Sequence, residues 1–181
     1  MTASQTIFLP LLAMLALGAF TDLRERRIPN WLNAAILAAG LTRALVHPGG
    51  PGFGWALLGA TLGFGLMLVP FALGALRGGD VKLMTALGAW LGPAGIFAVF
   101  IIEKIYGLVF VLAQSAVTGR TGELLGNSAR LAVNVTHVRT LGVEHVRSSG
   151  ERFRSIDRPL PYAVPILAAV LTVIAWGISG G

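Results

Sequence analysis

The chain predicts an all-α fold: a polytopic membrane bundle of about six transmembrane helices with a short fourth helix. Three observations carry that expectation. Hydrophobic residues make up 55% of the 181 and charged residues only 12%, where an ordinary soluble domain holds about 25% charged. The apolar residues gather into long runs, as a hydrocarbon core about 30 Å thick demands, and the mean hydropathy is +0.75. The basic residues gather into the segments after every second run, as they do in loops on one side of a membrane.

The runs fall at 5–21, 31–46, 53–76, 81–92, 93–118 and 160–178. No positive charge precedes Ile7 and arginines follow the first run, which reads as a retained span and not as a cleaved signal. Pro29 and Asn30 open the second, where a proline suits the first turn of a helix. HPGGPG (47–52) is a tight turn. The third run is the longest and spans with tilt. Gly92-Pro93 divides the fourth from the fifth, because glycine suits a helix end and proline a helix start. The length suits one domain over 1–181, with 119–159 as a cytoplasmic loop between the fifth and sixth helices. Within it Leu124, Leu131, Val135 and Val138 recur at near-helical spacing among Arg130, His137 and Arg139. That pattern fits a basic helix lying on lipid, and its β-branched residues fit an irregular loop equally well.

Every basic residue except Arg43 and Lys104 lies after the first, third or fifth span, and the segments 47–52 and 92–93 hold none. Six spans put those three segments on one side. The positive-inside rule makes that side cytoplasmic and both termini external. The same asymmetry accounts for the net charge of +6 and the pI of about 11.1, and no motif supports nucleic-acid binding. There are no cysteines, which excludes disulfides, thiol catalysis and Cys-ligated metal. The three histidines, His47, His137 and His145, are scattered. No metal site and no cofactor are expected. Arg43 is expected to snorkel outward, and Glu103 and Lys104, within the fifth span, to pair across helices or snorkel.

Two aspartates stand out. Asp80 follows Gly78-Gly79 in the first turn of the fourth helix. At about 1.5 Å per residue, the stretch from Gly78 to Gly92 is only about 22 Å long, shorter than the bilayer core. Asp80 is therefore expected in a recess at the membrane boundary, where a charge is costly and usually functional. The helix N-terminus favours an anion there. Gly78 and Gly79 are expected to permit unusual backbone and close chain approach. Asp22 closes the first span at the same face. Two carboxylates sharing a site do not both ionise readily, so one can activate water while the other protonates a leaving amine. The alternative from these residues alone is a pair of unrelated interfacial charges.

Asp22 followed by Ile28-Pro29-Asn30, and then Gly78-Gly79-Asp80-x-Lys82-Leu83, resembles the prepilin peptidase family of membrane aspartic proteases. LGAWLGP (87–93) and RPLPYAVP (158–165) are similar to that family's following segments. The resemblance covers most of the chain outside 119–159. It implies an integral inner-membrane endopeptidase that removes the leader of prepilins or pilin-like precursors at the cytoplasmic face. In that reading Asp22 and Asp80 form the catalytic pair without metal, and Gly78, Gly79, Lys82, Pro29 and Asn30 support them. The chain looks like the short form associated with Flp-type pili, lacking the cysteine-rich zinc segment of longer, methylating relatives. It departs from the family's Gly-x-Gly-Asp pattern at Arg77, which stands at the first glycine. A small ion-coupled transporter or channel, or a non-catalytic pilus-assembly subunit, are the alternatives; the oligomeric state is left open.

Overall fold

The computed structural model describes residues 7–46, 52–73, 76–117, 119 and 162–177. The turn at 47–51 and nearly all of the 119–159 segment, with its expected surface helix, lie outside the described residues. Among those described the fold is all-helical, with five helices: α1 (Leu9–Glu25), α2 (Asn30–Val46), α3 (Gly52–Ala72), α4 (Gly78–Val117) and α5 (Ala163–Ala175). Six were expected. The expected fourth and fifth follow one another with no loop between them and are described together as α4, whose 40 residues form two helical arms divided, as expected, at Gly92 (φ 69°, ψ −178°). The short fourth helix is the first arm of α4. Glycine takes a positive φ at no steric penalty, and Pro93 restarts the helix with an N–H fewer to satisfy.

The helix boundaries follow from local chemistry. Pro10 sits in the first turn of α1, and Arg26 ends the helix in a left-handed conformation (φ 54°, ψ 35°), its N–H donating to the Asp22 carbonyl at 3.0 Å. The Pro29 carbonyl accepts the N–H groups of Leu32 and Asn33 as α2 begins. Proline therefore stands just before α2 and not within its first turn. α3 and α4 are long and apolar enough to cross a membrane, and α5 is a shorter apolar helix.

α4 packs along α3, α2 and α5, while α1 packs against α5 and α2. The shared core includes Leu11 and Leu15 of α1, Leu32 and Ile36 of α2, Met67 of α3, Leu83, Met84, Leu87, Ile96 and Val99 of α4, and Ile166 and Val170 of α5. α3 and α4 approach closest at Gly59 and Gly88, where a Cβ on either glycine would overlap the other's carbonyl oxygen. Small residues spaced to let backbones touch are a common way for apolar helices to associate without a hydrophobic driving force. Trp90 ties the first arm of α4 to α2: its indole N–H donates to the Ile36 carbonyl at 2.7 Å, and its own carbonyl accepts from Arg43 at 2.9 Å. Arg43 also lies over the Phe8 and Trp90 rings. It is held inward by these contacts, where outward snorkelling was expected.

The break at Gly92 has a geometric consequence. Glu103 is hydrogen-bonded to Tyr162, whose neighbour Ala163 bonds Asp22 in the cavity that Asp80 also lines, yet a straight helix rising about 1.5 Å per residue would carry Glu103 more than 30 Å from Asp80. Gly92 stands about midway between them in sequence, so the second arm returns Glu103 toward the end of the bundle where Asp80 lies.

Candidate active site

Four helix termini converge at one end of the bundle: the end of α1 and the starts of α2, α4 and α5. Asp22 lies in the last turn of α1 and is 5% exposed; Asp80 lies in the first turn of α4 and is 6% exposed. Both line one cavity of about 140 Å³, together with Arg26, Arg27, Arg77 and Gly79. A water needs only about 10–15 Å³ of such volume, so a water and part of a peptide fit beside the two carboxyls.

Each aspartate is aimed by a backbone donor. The Arg77 N–H donates to Asp80 Oδ2 at 3.0 Å. This is half of a capping box, a side chain in the first turn reaching back to the residue before the helix. The Ala163 N–H, at the start of α5, donates to Asp22 Oδ2 at 3.0 Å. The first N–H groups of a helix have no intrahelical acceptor, and here Asp22 supplies one from a distant helix. Each carboxyl thus meets the N-terminus of a helix, which favours an anion: Asp80 that of its own helix, and Asp22, from the last turn of α1, that of α5. Burying two carboxyls is nonetheless a poor choice for stability alone.

The expected supporting residues stand at the starts of α2 and α4. Lys82 Nζ donates to Asn30 Oδ1 at 2.9 Å, joining the starts of α4 and α2. Asn33, buried and not anticipated, donates from Nδ2 to the Gly79 carbonyl at 3.2 Å. The expectation that Gly78 and Gly79 supply unusual backbone is corrected: neither has a positive φ, and a Cβ on either would meet its neighbours only at 3.8–4.0 Å. The close approaches fall further along α4 instead, at Gly88 against the backbone of Gly59 and at Gly92 against the Trp55 side chain. Asn30 lines the aspartate cavity and also a larger apolar one of about 550 Å³ between α2, α3 and α4, bordered by Leu37, Phe64, Leu68 and Phe71.

Arg77 holds both sides of the cavity. Its backbone serves Asp80, and its guanidinium donates to the Arg26 carbonyl at 2.5 Å. The left-handed Arg26 that ends α1 is thereby tied to the start of α4. In the sequence Arg77 stands out only as a departure from a motif; the turn of α1 toward α4 makes it a clamp. Tyr162 and Ala163 were also missed, although they lie inside RPLPYAVP, because a backbone N–H leaves no residue-type signal.

A profile of the type IV leader peptidase family matches residues 9–112, more than half of the chain. The chain belongs to that family. One relative is the prepilin leader peptidase/N-methyltransferase of Xanthomonas campestris pv. campestris, 36% identical over 98 residues, which cover 49% of this chain and 33% of the relative. The chain thus spans about a third of the length of that curated relative. No solved structure matches. The matched region contains both aspartates, Arg77 and the whole of the first arm of α4, while α5 lies beyond it.

Proposed function

We propose that this leader-peptidase-family chain is an integral-membrane aspartic endopeptidase, cutting the leader from prepilins or pilin-like precursors at the cytoplasmic face of the bacterial inner membrane. The observation that carries the reading is the pair of buried aspartates, brought from different helices to one small cavity. In the reaction one carboxylate takes a proton from water as the oxygen attacks the scissile carbonyl carbon. The other carboxyl gives its proton to the amide nitrogen as the C–N bond breaks. The result is a free leader carboxylate, a new amino terminus, and the aspartate pair with its one shared proton moved between them. Backbone donors fix the orientation of both carboxyls, so the geometry exists before substrate arrives.

The membrane placement is supported by the outer faces of the helices. Leu58, Val69, Ile105, Leu108 and Val109 are each more than half exposed, as apolar side chains on the lipid-facing side of membrane helices are. The basic residues Arg24, Arg27, Arg77 and Lys82 stand at the aspartate end of the helices, which supports a cytoplasmic site. An ion-path reading of Asp22, Asp80 and Glu103 needs carboxylates spread through the depth of the bundle. The return of Glu103 toward Asp80 speaks against it.

Membranes containing the full chain should convert a prepilin to its leaderless form, and divalent-metal chelators should leave the rate unchanged. The described residues hold no group of three or more His, Cys, Asp or Glu side chains suited to a metal ion. Loss of cleavage with a chelator, restored by a divalent cation, would overturn the aspartic mechanism. Absence of cleavage by well-folded protein would remove the peptidase reading altogether.

Sidedness has its own test, made simple by the absence of native cysteine. In intact cells, single cysteines replacing Arg27 or Ser148 should resist a membrane-impermeant thiol reagent and react after lysis. A cysteine replacing Gly50 should react from outside. Labelling of the first two in intact cells would invert the topology.

A further inference from the structure

Glu103 is the most enclosed acidic side chain among the described residues, only 1% exposed on the second arm of α4. A carboxylate in such a place is costly unless paired and hydrogen-bonded. Its partners form a closed triangle. The Tyr162 hydroxyl donates to Glu103 Oε1 at 2.6 Å, Lys104 Nζ lies 2.7 Å from the same oxygen, and Lys104 Nζ donates to the Tyr162 hydroxyl at 2.6 Å. Glu103 and Lys104 therefore pair directly with one another, although neighbours on a helix diverge by about 100°, and Tyr162 from a second segment bonds both. Lys104 is 41% exposed and lies over the Phe100 and Tyr162 rings. The pair is thus buried at its acidic end only.

Tyr162 is the residue before α5, and its side chain makes no cap to its own helix. It is anchored to α4 instead. The next residue is Ala163, whose N–H is the donor to Asp22 Oδ2. The tyrosine side chain and that N–H are thus consecutive along one rigid stretch of helix start. Where the hydroxyl is held decides where the N–H points. Stability is a weak account of the triangle, because an apolar residue of similar volume at 103 would fill the site without desolvating a charge.

We infer that the Glu103–Tyr162 hydrogen bond is a positioning device for Asp22, fixing the start of α5 on the second arm of α4 so that the Ala163 N–H orients the Asp22 carboxyl. Glu103 and Tyr162 are positioning residues that act through the Ala163 backbone. This rests on the aspartate-pair reading above. It assigns a chemical role to the return arm of α4 that follows Gly92: the break folds back the element that holds α5 in register with Asp22.

The test is leader cleavage by the full-length protein in membranes, with kcat and KM separated and folded protein quantified by thermal unfolding in detergent. Tyr162→Phe removes one hydroxyl and should lower kcat about tenfold, since small misplacements of a catalytic group have effects of this order or larger, while KM stays within about twofold. Glu103→Leu should match it. Glu103→Gln keeps an acceptor for the tyrosine hydroxyl and should recover most of the rate. The double variant Tyr162→Phe/Glu103→Leu should be no slower than either single variant, because both break one link. Unchanged kcat per folded molecule in Tyr162→Phe, a change confined to KM, or additive losses in the double variant would each overturn the inference. Asp22→Asn in the same assay separates the two claims. If it still cleaves, the aspartate pair has failed; if it is inactive while Tyr162→Phe runs at the normal kcat, only the positioning role has failed.

Discussion

Asparagine in place of either Asp22 or Asp80 is expected to lower prepilin cleavage by about 10³-fold or more, the scale of losing a general acid or base from a coupled pair. The amide keeps the shape of the carboxyl and an oxygen that can accept the Ala163 or Arg77 N–H, so the helix ends stay joined. The stability effects should be small at both positions, because each substitution removes a favourable contact with a helix N-terminus together with the cost of burying a carboxyl. A residue whose loss abolishes activity without weakening the fold is held for chemistry. The measurement pairs conversion of prepilin to pilin with thermal unfolding of the purified protein. Cleavage by either variant within tenfold of the parent rate would end the case for the pair.

The other large effect concerns the fold. Valine at Gly88 should cost about 3 kcal/mol or more, as overpacking does where nothing can move aside. The obstacle is the backbone of Gly59 on α3, not the end of a flexible side chain. To admit a Cβ, α3 and the first arm of α4 must separate, and that arm carries Asp80 at its start and Trp90 near its end. Gly59→Val should do the same from the opposite side. Gly54→Ala and Gly65→Ala are the matched controls on α3, since a Cβ at either meets nothing within 4 Å, and alanine is the better helix former. Yield of folded protein and the unfolding midpoint in detergent decide it. A Gly88→Val protein as stable as the controls would mean that the two helices do not touch as described.

Much of this was legible beforehand, for identifiable reasons. The apolar runs that became α1 to α5 are set by composition over a dozen or more residues, and a run of that kind needs no knowledge of its neighbours. Gly92-Pro93 was readable as a break because both residues restrict the backbone at their own positions. How the two arms abut without a loop was not readable, since it depends on Gly92 meeting Trp55 and α3 across the interface. Asp22 and Asp80 stood out because an acidic side chain between apolar runs is anomalous wherever it lands. The role anticipated for Gly78 and Gly79 failed for the converse reason. Glycine's freedom is a capacity, and only the packing around it determines whether it is used.

The sequence by itself determined the helical class, the spacing of the runs, the clustering of basic residues between them, and the two carboxylates with their flanking residues. All of these are properties of single segments, expressed through the periodicity and solvation of residues close together in the chain. Only the tertiary structure decided that Ala163 aims Asp22, that Arg77 joins α4 to the end of α1, that Glu103 comes back toward Asp80, and that Gly59 and Gly88 are the point of closest approach. Those contacts link residues far apart in sequence, several through backbone atoms that every residue carries alike. Their existence depends on how helices cross, and helix crossing is set by the combined surfaces of several elements, which no single stretch of chain contains.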